Sequence, residues 1–337
     1  MKLMKANSLQ DQEHLSSIKF AVKLNKEEYY HGEEVLGFIK IMLREEKTIY
    51  NIKLRFKQKE FWETSDNHVI REKTLYKQLI EINKYAVEHK NPNNVNNDTN
   101  GIQLTAGEYM FPFSFEVPAI CNNTIEYSDN DIKAYITSFL HFSFIDGSSY
   151  EFKYPIIIKS QIPRKIQSSM AVSNTEIYKW GMFKSGTIKL KMLTNKMSYK
   201  IGSIANVKVS LDNLESQVNI KTMKLTLYRK FSLYSKQGLQ LTKKIKVNSK
   251  TIEVACRARE KDEIKENMEI DDCLLMEEKM NVINDDKDSV VNVTFMLPSV
   301  KSQVLECEYY IKAKAYCEEV VFKNSKPKCY LPIQVFY

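Results

Sequence analysis

The residues best placed for chemistry in this chain are cationic and aromatic rather than nucleophilic. Between Ser216 and Ile252 lie nine basic side chains (Lys221, Lys224, Arg229, Lys230, Lys236, Lys243, Lys244, Lys246 and Lys250) and no acidic one. Met223, Leu225, Leu227 and Phe231 mark an inward face at the two-residue period of a half-buried strand. Lys224, Tyr228, Lys230, Tyr234 and Lys236 therefore share the outward face. Ile245 and Val247 repeat the inward pattern and leave Lys244, Lys246 and Lys250 outside. Paired as a hairpin, the two strands would present one basic, tyrosine-studded surface. Such a surface suits an anion: acidic lipid headgroups, a phosphorylated or acidic partner tail, or an acidic protein surface such as that of tubulin. The competing expectation is a solvated face, covered by the neighbouring stretch 259–288, which carries twelve acidic and five basic residues, a net of −7. Nucleic acid is not expected as a partner, because no recognised binding motif accompanies the patch.

Catalytic constellations are missing from the sequence. It contains no Gly-x-Ser-x-Gly, His-Glu-x-x-His or P-loop pattern, and its five His are scattered. His141, within Phe139-Leu-His-Phe-Ser-Phe144, reads as a satisfied strand histidine, since a general base needs a positioned partner. Cys121, Cys256, Cys273, Cys307, Cys317 and Cys329 form no Cys-x-x-Cys pair and have no His at metal-ligand spacing. They are expected to be reduced thiols, with Cys121 and Cys307 as small core hydrophobes. No catalytic residue, metal site or cofactor is implied, and the chain is not expected to be an enzyme. With 9 Gly in 337 residues, glycine-cradled phosphate chemistry is not expected either. The N-terminal Met1-Lys-Leu-Met-Lys-Ala-Asn-Ser-Leu has no apolar core of a signal peptide, which points to a cytoplasmic protein.

The elements that must position these residues are strands. Alternation recurs in Ile18, Phe20, Val22, Leu24; in Ile52, Leu54, Phe56 against Lys53, Arg55, Lys57; and in Phe111, Phe113, Phe115, Val117. Later it returns in Ile188, Leu190, Met192, in Val207, Val209, Leu211 and in Ile311, Ala313, Ala315, Cys317. Helical spacing is confined to Leu75, Leu79, Ile82 and Ala86, which predicts one short helix within Arg71 to His89. Asn91 to Gly101 reads as a loop rich in Asn, and the acidic stretch as a loop with a short helix between strands.

An internal echo organises the whole chain. Lys26-x-x-Tyr29-x-x-Gly32 leads into Ile39 and Ile41, and Lys196-x-x-Tyr199-x-x-Gly202 leads into Val209 and Leu211, every pair offset by 170. The next strands echo at 171, with Ile52, Leu54 and Phe56 answered by Met223, Leu225 and Leu227. Two β domains of one design therefore stand in tandem. The expected fold is all-β: an antiparallel β-sandwich over residues 14–162, a linker over 163–183, and a second sandwich over 184–337 with an acidic insert at 259–288.

These residues resemble the arrestin fold, and within it the alpha-arrestins, the arrestin-domain-containing branch. The N-terminal resemblance runs through Phe20-x-Val-x-Leu24, Tyr30-x-Gly32-Glu33-x-Val35-x-Gly37 and Leu104-x-x-Gly107-x-Tyr-x-Phe111-Pro-Phe113-x-Phe115-x-Val117-Pro118. The C-terminal resemblance runs through Trp180-Gly-x-Phe-x-x-Gly186, the Tyr199-x-x-Gly202 turn, Asn213 and Leu331-Pro-Ile333-x-Val335. Lys57 stands where the family pattern has Gly after Phe56, and Ser203 where it has Glu. The chain has no Pro-Pro dipeptide and hence no Pro-Pro-x-Tyr ligase-binding motif, and Lys159 is the nearest match to the phosphate-sensing Arg of visual and beta-arrestins. The resemblance implies a cytoplasmic, non-enzymatic adaptor that links membrane-protein tails to trafficking or sorting machinery. The alternative it leaves open is a structural subunit of a large assembly, such as a retromer-like coat or a cytoskeletal or ciliary complex.

Overall fold

The computed structural model describes residues 18–49, 51–64, 68–80, 82, 102–129, 131–145, 149–160, 167–179, 183–270, 296–318 and 326–337. The predicted loop at 91–101, the acidic stretch beyond Ile270 with its short helix, Trp180 and Cys273 lie outside those residues. Everything regular among the described residues is strand. In the first half these are β1 (Ile18–Leu24), β2 (Glu28–Tyr30), β3 (Glu34–Leu43), β4 (Lys47–Ile49), β5 (Asn51–Thr64) and β6 (Val69–Ile80). There follow β7 (Ile102–Leu104), β8 (Gly107–Glu116), β9 (Ile125–Ser128), β10 (Ile132–Ile145) and β11 (Ser149–Lys159). The second half contains β12 (Ser169–Lys179), β13 (Phe183–Thr194), β14 (Ser198–Lys200), β15 (Ser203–Asp212) and β16 (Ile220–Ser235). It closes with β17 (Gly238–Cys256), β18 (Lys261–Ile270), β19 (Val300–Lys301), β20 (Leu305–Cys317) and β21 (Lys328–Phe336).

The chain folds as two compact units. One holds Met1–Trp62, Glu72–Glu126 and Ala134–Ser160, and the other Glu63–Arg71, Tyr127–Lys133 and Gln161–Tyr337. In the first, the sheet β1-β3-β8 faces the sheet β2-β11-β10-β5-β6, with Ile39, Phe111, Phe56, Leu140 and Phe142 buried in one core. In the second, β12-β13-β15-β18 accompanies β14-β21-β20-β16-β17, with Leu190, Val209, Leu225, Ile311 and Leu331 inside. The two five-strand paths have the same order, strand for strand. The echoed turns correspond as well: β2 pairs in parallel with β11 and β14 with β21, while Gly32 (φ 75°) and Gly202 (φ 82°) adopt the left-handed conformation that a side chain resists. Their amides donate to equivalent strand-end carbonyls, Gly32 to Val117 and Gly202 to Ile270, each at 2.8 Å.

Three expectations from the sequence are corrected. Lys261–Ile270, expected as part of an acidic loop with a short helix, forms β18, paired along its whole length with β15 and turning Met268 and Ile270 into the core. The helix predicted within Arg71 to His89 is absent over Val69–Ile80, which forms β6 beside β5. Its core-facing residues are Tyr76, which packs on Phe56 at 6.0 Å between ring centroids, and Ile80, whereas Leu79 is exposed. Pairing with the long strand β5 outweighs a helical pattern that no partner supports. The residues 169–179, expected as linker, form β12 against β13. Ser169, Ala171, Ser173, Thr175 and Ile177 take the inward side and Met170 and Val172 the solvent side, so this edge strand lacks the hydrophobic alternation that marks the others.

Candidate functional site

The basic run folds into the predicted hairpin, β16 against β17, closed by a tight turn at Lys236 and Gln237 ahead of Gly238 (φ 119°). Met223, Leu225, Leu227 and Phe231 are buried, as the alternation requires. On the outer side Lys224, Tyr228, Lys230 and Tyr234 are half-buried in a row along β16. Lys244 lies opposite Lys230, and Lys246 opposite Tyr228.

Two members leave the predicted face. A register shift between Leu227 and Tyr228 puts an extra residue into β17, which reverses its side-chain parity. Lys250 consequently pairs with Leu225 on the inward side, and its ammonium meets Glu266 of β18 at the edge of the opposite sheet. Asn248 turns the same way and donates to the Glu269 carbonyl at 3.1 Å. These contacts clasp the two sheets together. Lys236 is exposed in the turn, beyond the end of the strand.

Acids temper two of the remaining residues. Lys230 Nζ lies 3.0 Å from Glu308 of β20, and this hydrogen-bonded pair raises its pKa above the ordinary lysine value. Tyr234 donates its hydroxyl to Glu306 at 2.9 Å, which raises the phenol pKa. Lys243, on the inward parity of β17, reaches Asp129 at 2.6 Å and Asp131 at 3.2 Å. Burial alone would raise the Asp129 pKa, yet hydrogen bonds from Lys243 and Tyr127 hold it below the usual aspartate value. Beside this pair Tyr127 stacks on Phe231 at 4.3 Å, and Arg71 donates to the Ser235 carbonyl at 2.7 Å. Lys243 is thus part of the packing and not of the open face.

The face extends beyond the hairpin onto β20 and β21. Tyr228 stacks on Tyr310 with centroids 5.4 Å apart, and Tyr310 meets Tyr330 edge-on at 5.7 Å. Lys312 lies over both Tyr228 (5.9 Å) and Tyr330 (5.4 Å), while Lys314 and Lys326 lie over Tyr316 at 4.6 and 5.4 Å. Lys224, Lys314 and Lys328 form one cross-strand row. The result is a tiled surface of phenol rings and ammonium groups. Sequence reasoning missed the β20 contribution, although the same alternation that sends Ile311, Ala313 and Ala315 inward sends Tyr310, Lys312, Lys314 and Tyr316 outward.

The thiols among the described residues are buried or half-buried. Cys121, Cys256, Cys307, Cys317 and Cys329 are free, and burial pushes Cys307 up to about 12 and Cys121 and Cys256 up to about 11. No group of three or more His, Cys, Asp or Glu among the described residues could hold a metal ion.

Comparison with known families places the chain. Residues 18–145 match the N-terminal domain of arrestin (or S-antigen), and residues 184–337 match its C-terminal domain. The chain belongs to the arrestin family. The two matched arrestin domains, in this order, span most of the sequence, and the role that goes with them is that of a non-enzymatic adaptor or scaffold that binds protein partners. A search among curated proteins found no match. No helix among the described residues is long and apolar enough to cross a membrane.

Proposed function

We propose that this arrestin-family chain is a cytoplasmic adaptor of the alpha-arrestin type, linking membrane proteins to trafficking or sorting machinery, and that it docks on anionic membrane through the outer face of β17-β16-β20-β21. The observation that carries this reading is the tiling of Tyr228, Tyr310 and Tyr330 with Lys224, Lys230, Lys244, Lys246, Lys312 and Lys314 on one sheet surface. Each lysine near an anionic bilayer contributes about 1 kcal/mol, so a few acting together give useful membrane affinity. Tyrosine rings suit the headgroup level, where one end is apolar and the other wet. Cargo and coat contacts would then be made by other surfaces.

Co-sedimentation with vesicles tests it. The full chain should bind phosphatidylserine-containing vesicles and not phosphatidylcholine vesicles, and binding should weaken steeply between 0.05 and 0.5 M salt, because exposed charges are screened. Binding that ignores lipid charge and salt would overturn the reading. Stoichiometric migration of the protein in a high-mass complex, with no vesicle binding, would favour a fixed subunit of a large assembly instead.

A further inference from the structure

The equivalent outer face of the first unit carries a different device. Along β5, Leu54, Phe56, Gln58 and Glu60 are buried, and Lys53, Arg55, Lys57 and Lys59 alternate with them on the outer side. Beside Lys57 the neighbouring strand β10 presents His141, with Lys57 Nζ 2.7 Å from His141 Nδ1. The other ring nitrogen, Nε2, lies 3.2 Å from Glu151 Oε2 on β11. An ammonium can only donate, so Nδ1 accepts from Lys57 and the imidazole proton sits on Nε2, whose ion-pair contact with Glu151 lacks hydrogen-bond alignment. Amine, imidazole and carboxylate thus come from three adjacent strands, β5, β10 and β11. That is the nucleophile, base and orienting-acid order of activated nucleophiles.

The surroundings favour a reactive amine and a phosphate-bearing reagent. Burial lowers the Lys57 pKa below that of an ordinary lysine, and Arg55, Lys77 and Lys59 push in the same direction, with Glu151 alone opposing. The His141 pKa is lowered by burial and by Lys57 and Arg55, against Glu151, so the imidazole is neutral and free to accept a proton. Lys59 is paired with Glu72, whereas neither Arg55 nor Lys77 has a salt bridge among the described residues. Lys57 itself is half-exposed.

We infer that Lys57 is an acyl-acceptor lysine, a covalent modification site for phosphate-bearing acyl thioesters, with His141 as its base and Glu151 orienting the imidazole. The Lys57 ammonium first releases one proton to solvent, and the neutral amine then attacks the thioester carbonyl; a C–N bond forms and the C–S bond breaks. The amine proton passes to His141 Nδ1 and from there to the departing thiolate, which leaves as a thiol. The product is an amide, and the cluster loses one positive charge. Arg55 and Lys77 attract the donor's phosphates, while the histidine accelerates the chemical step.

Site-resolved mass spectrometry of the intact chain with acetyl-coenzyme A at pH 8 tests this. Lys57 should acetylate about tenfold faster than Lys53, which lies on the same face of β5 and is also half-exposed. His141→Gln should bring Lys57 to within about twofold of Lys53 without altering Lys53, and Glu151→Gln should slow Lys57 by about threefold. With the uncharged donor S-acetyl-N-acetylcysteamine, the effect of His141→Gln should persist and that of Arg55→Gln with Lys77→Gln should vanish. Equal rates at Lys57 and Lys53 in the unaltered chain overturn the inference, whether or not the His141 variant folds. An unchanged Lys57 rate in a folded His141→Gln protein does so as well.

Discussion

The two long sheets of this molecule have the same strand order and outer faces of opposite character. On the first, cations crowd around an imidazole; on the second, cations are spaced by phenol rings and partly met by acids. The pivot is one position. Lys57 and Tyr228 stand 171 residues apart, the offset that relates β5 to β16, so the repeated scaffold places an amine on one face where it places an aromatic ring on the other. The amine finds His141 at 2.7 Å, and the ring finds Tyr310 at 5.4 Å between centroids. The inner face shows the same economy. Gln58 and Arg229, likewise 171 apart, are both fully buried polar side chains among hydrophobic neighbours. Gln58 is satisfied by the backbone of Asn122 and the hydroxyl of Ser138, its three hydrogen bonds each 2.8 Å. A duplicated sandwich therefore keeps its pairing and varies its chemistry one alternate residue at a time.

The largest expected effect comes from transposing the pivot. Lys57→Tyr should abolish the fast acetylation of the first face, and Tyr228→Lys should fail to create one on the second, because no imidazole among the described residues stands beside that position. Mass spectrometry of both variants decides it; a fast lysine at 228 would show that the face chemistry does not depend on His141. A smaller effect, about fivefold on vesicle affinity, is expected when Tyr228, Tyr310 and Tyr330 are all changed to Ser. The salt dependence should stay the same, since the lysines remain. Loss of affinity accompanied by a changed salt slope would mean that the tyrosines only position the charges.

Acid separates the two units by degree. The folded pKa of His141 is depressed below 6.5, chiefly by burial, so its contribution is fully present above pH 6.5 and lost as pH falls through the folded value. The folded pKa of Asp129 is depressed below 3.8, the Lys243 and Tyr127 hydrogen bonds outweighing burial. Its contribution is present above that value and lost only as pH falls through the folded pKa. Hydrogen exchange from pH 7 to 4 should therefore show loosening around β10 of the first unit before the Asp129 region of the second, and His141→Gln should flatten the first response. Asp129→Asn should cost about 2 kcal/mol at neutral pH, as expected for removing a charge-assisted hydrogen bond. The smallest effects belong to the echoed turns. Gly32→Ala and Gly202→Ala should each cost about 1 kcal/mol from the positive φ alone, since an added Cβ meets nothing closer than 3.7 Å at Gly32 and nothing within 4 Å at Gly202. Unequal costs in thermal denaturation would mean that the two turns do different structural work.

Most of the architecture was legible because its strands alternate and its halves repeat. Phe111, Phe113 and Phe115 announce β8, and the 170-residue echo announces a second domain before any contact is known. What escaped the sequence depends on partners far along the chain. β6 reads as a helix until β5 is set beside it, and β12 buries small polar residues that carry no hydrophobic signal. The β17 bulge that removes Lys250 from the face leaves no mark in the order of residue types. His141 reads as an isolated strand histidine because its partner Lys57 lies 84 residues away. The alternation did place Lys53, Arg55 and Lys57 together, and only the pairing of strands shows which imidazole they meet.

The central claim is that membrane docking belongs to the second face and not to basic charge in general. It is tested most directly by measuring vesicle affinity of the full chain with Lys230→Glu and Lys244→Glu, beside the same chain with Arg55→Glu and Lys77→Glu. Both pairs reverse two charges. The account predicts a loss of about thirtyfold or more for the first pair, on the basis of roughly 1 kcal/mol per surface lysine, and less than threefold for the second. Equal losses, or the larger loss from the Arg55 and Lys77 pair, would contradict it.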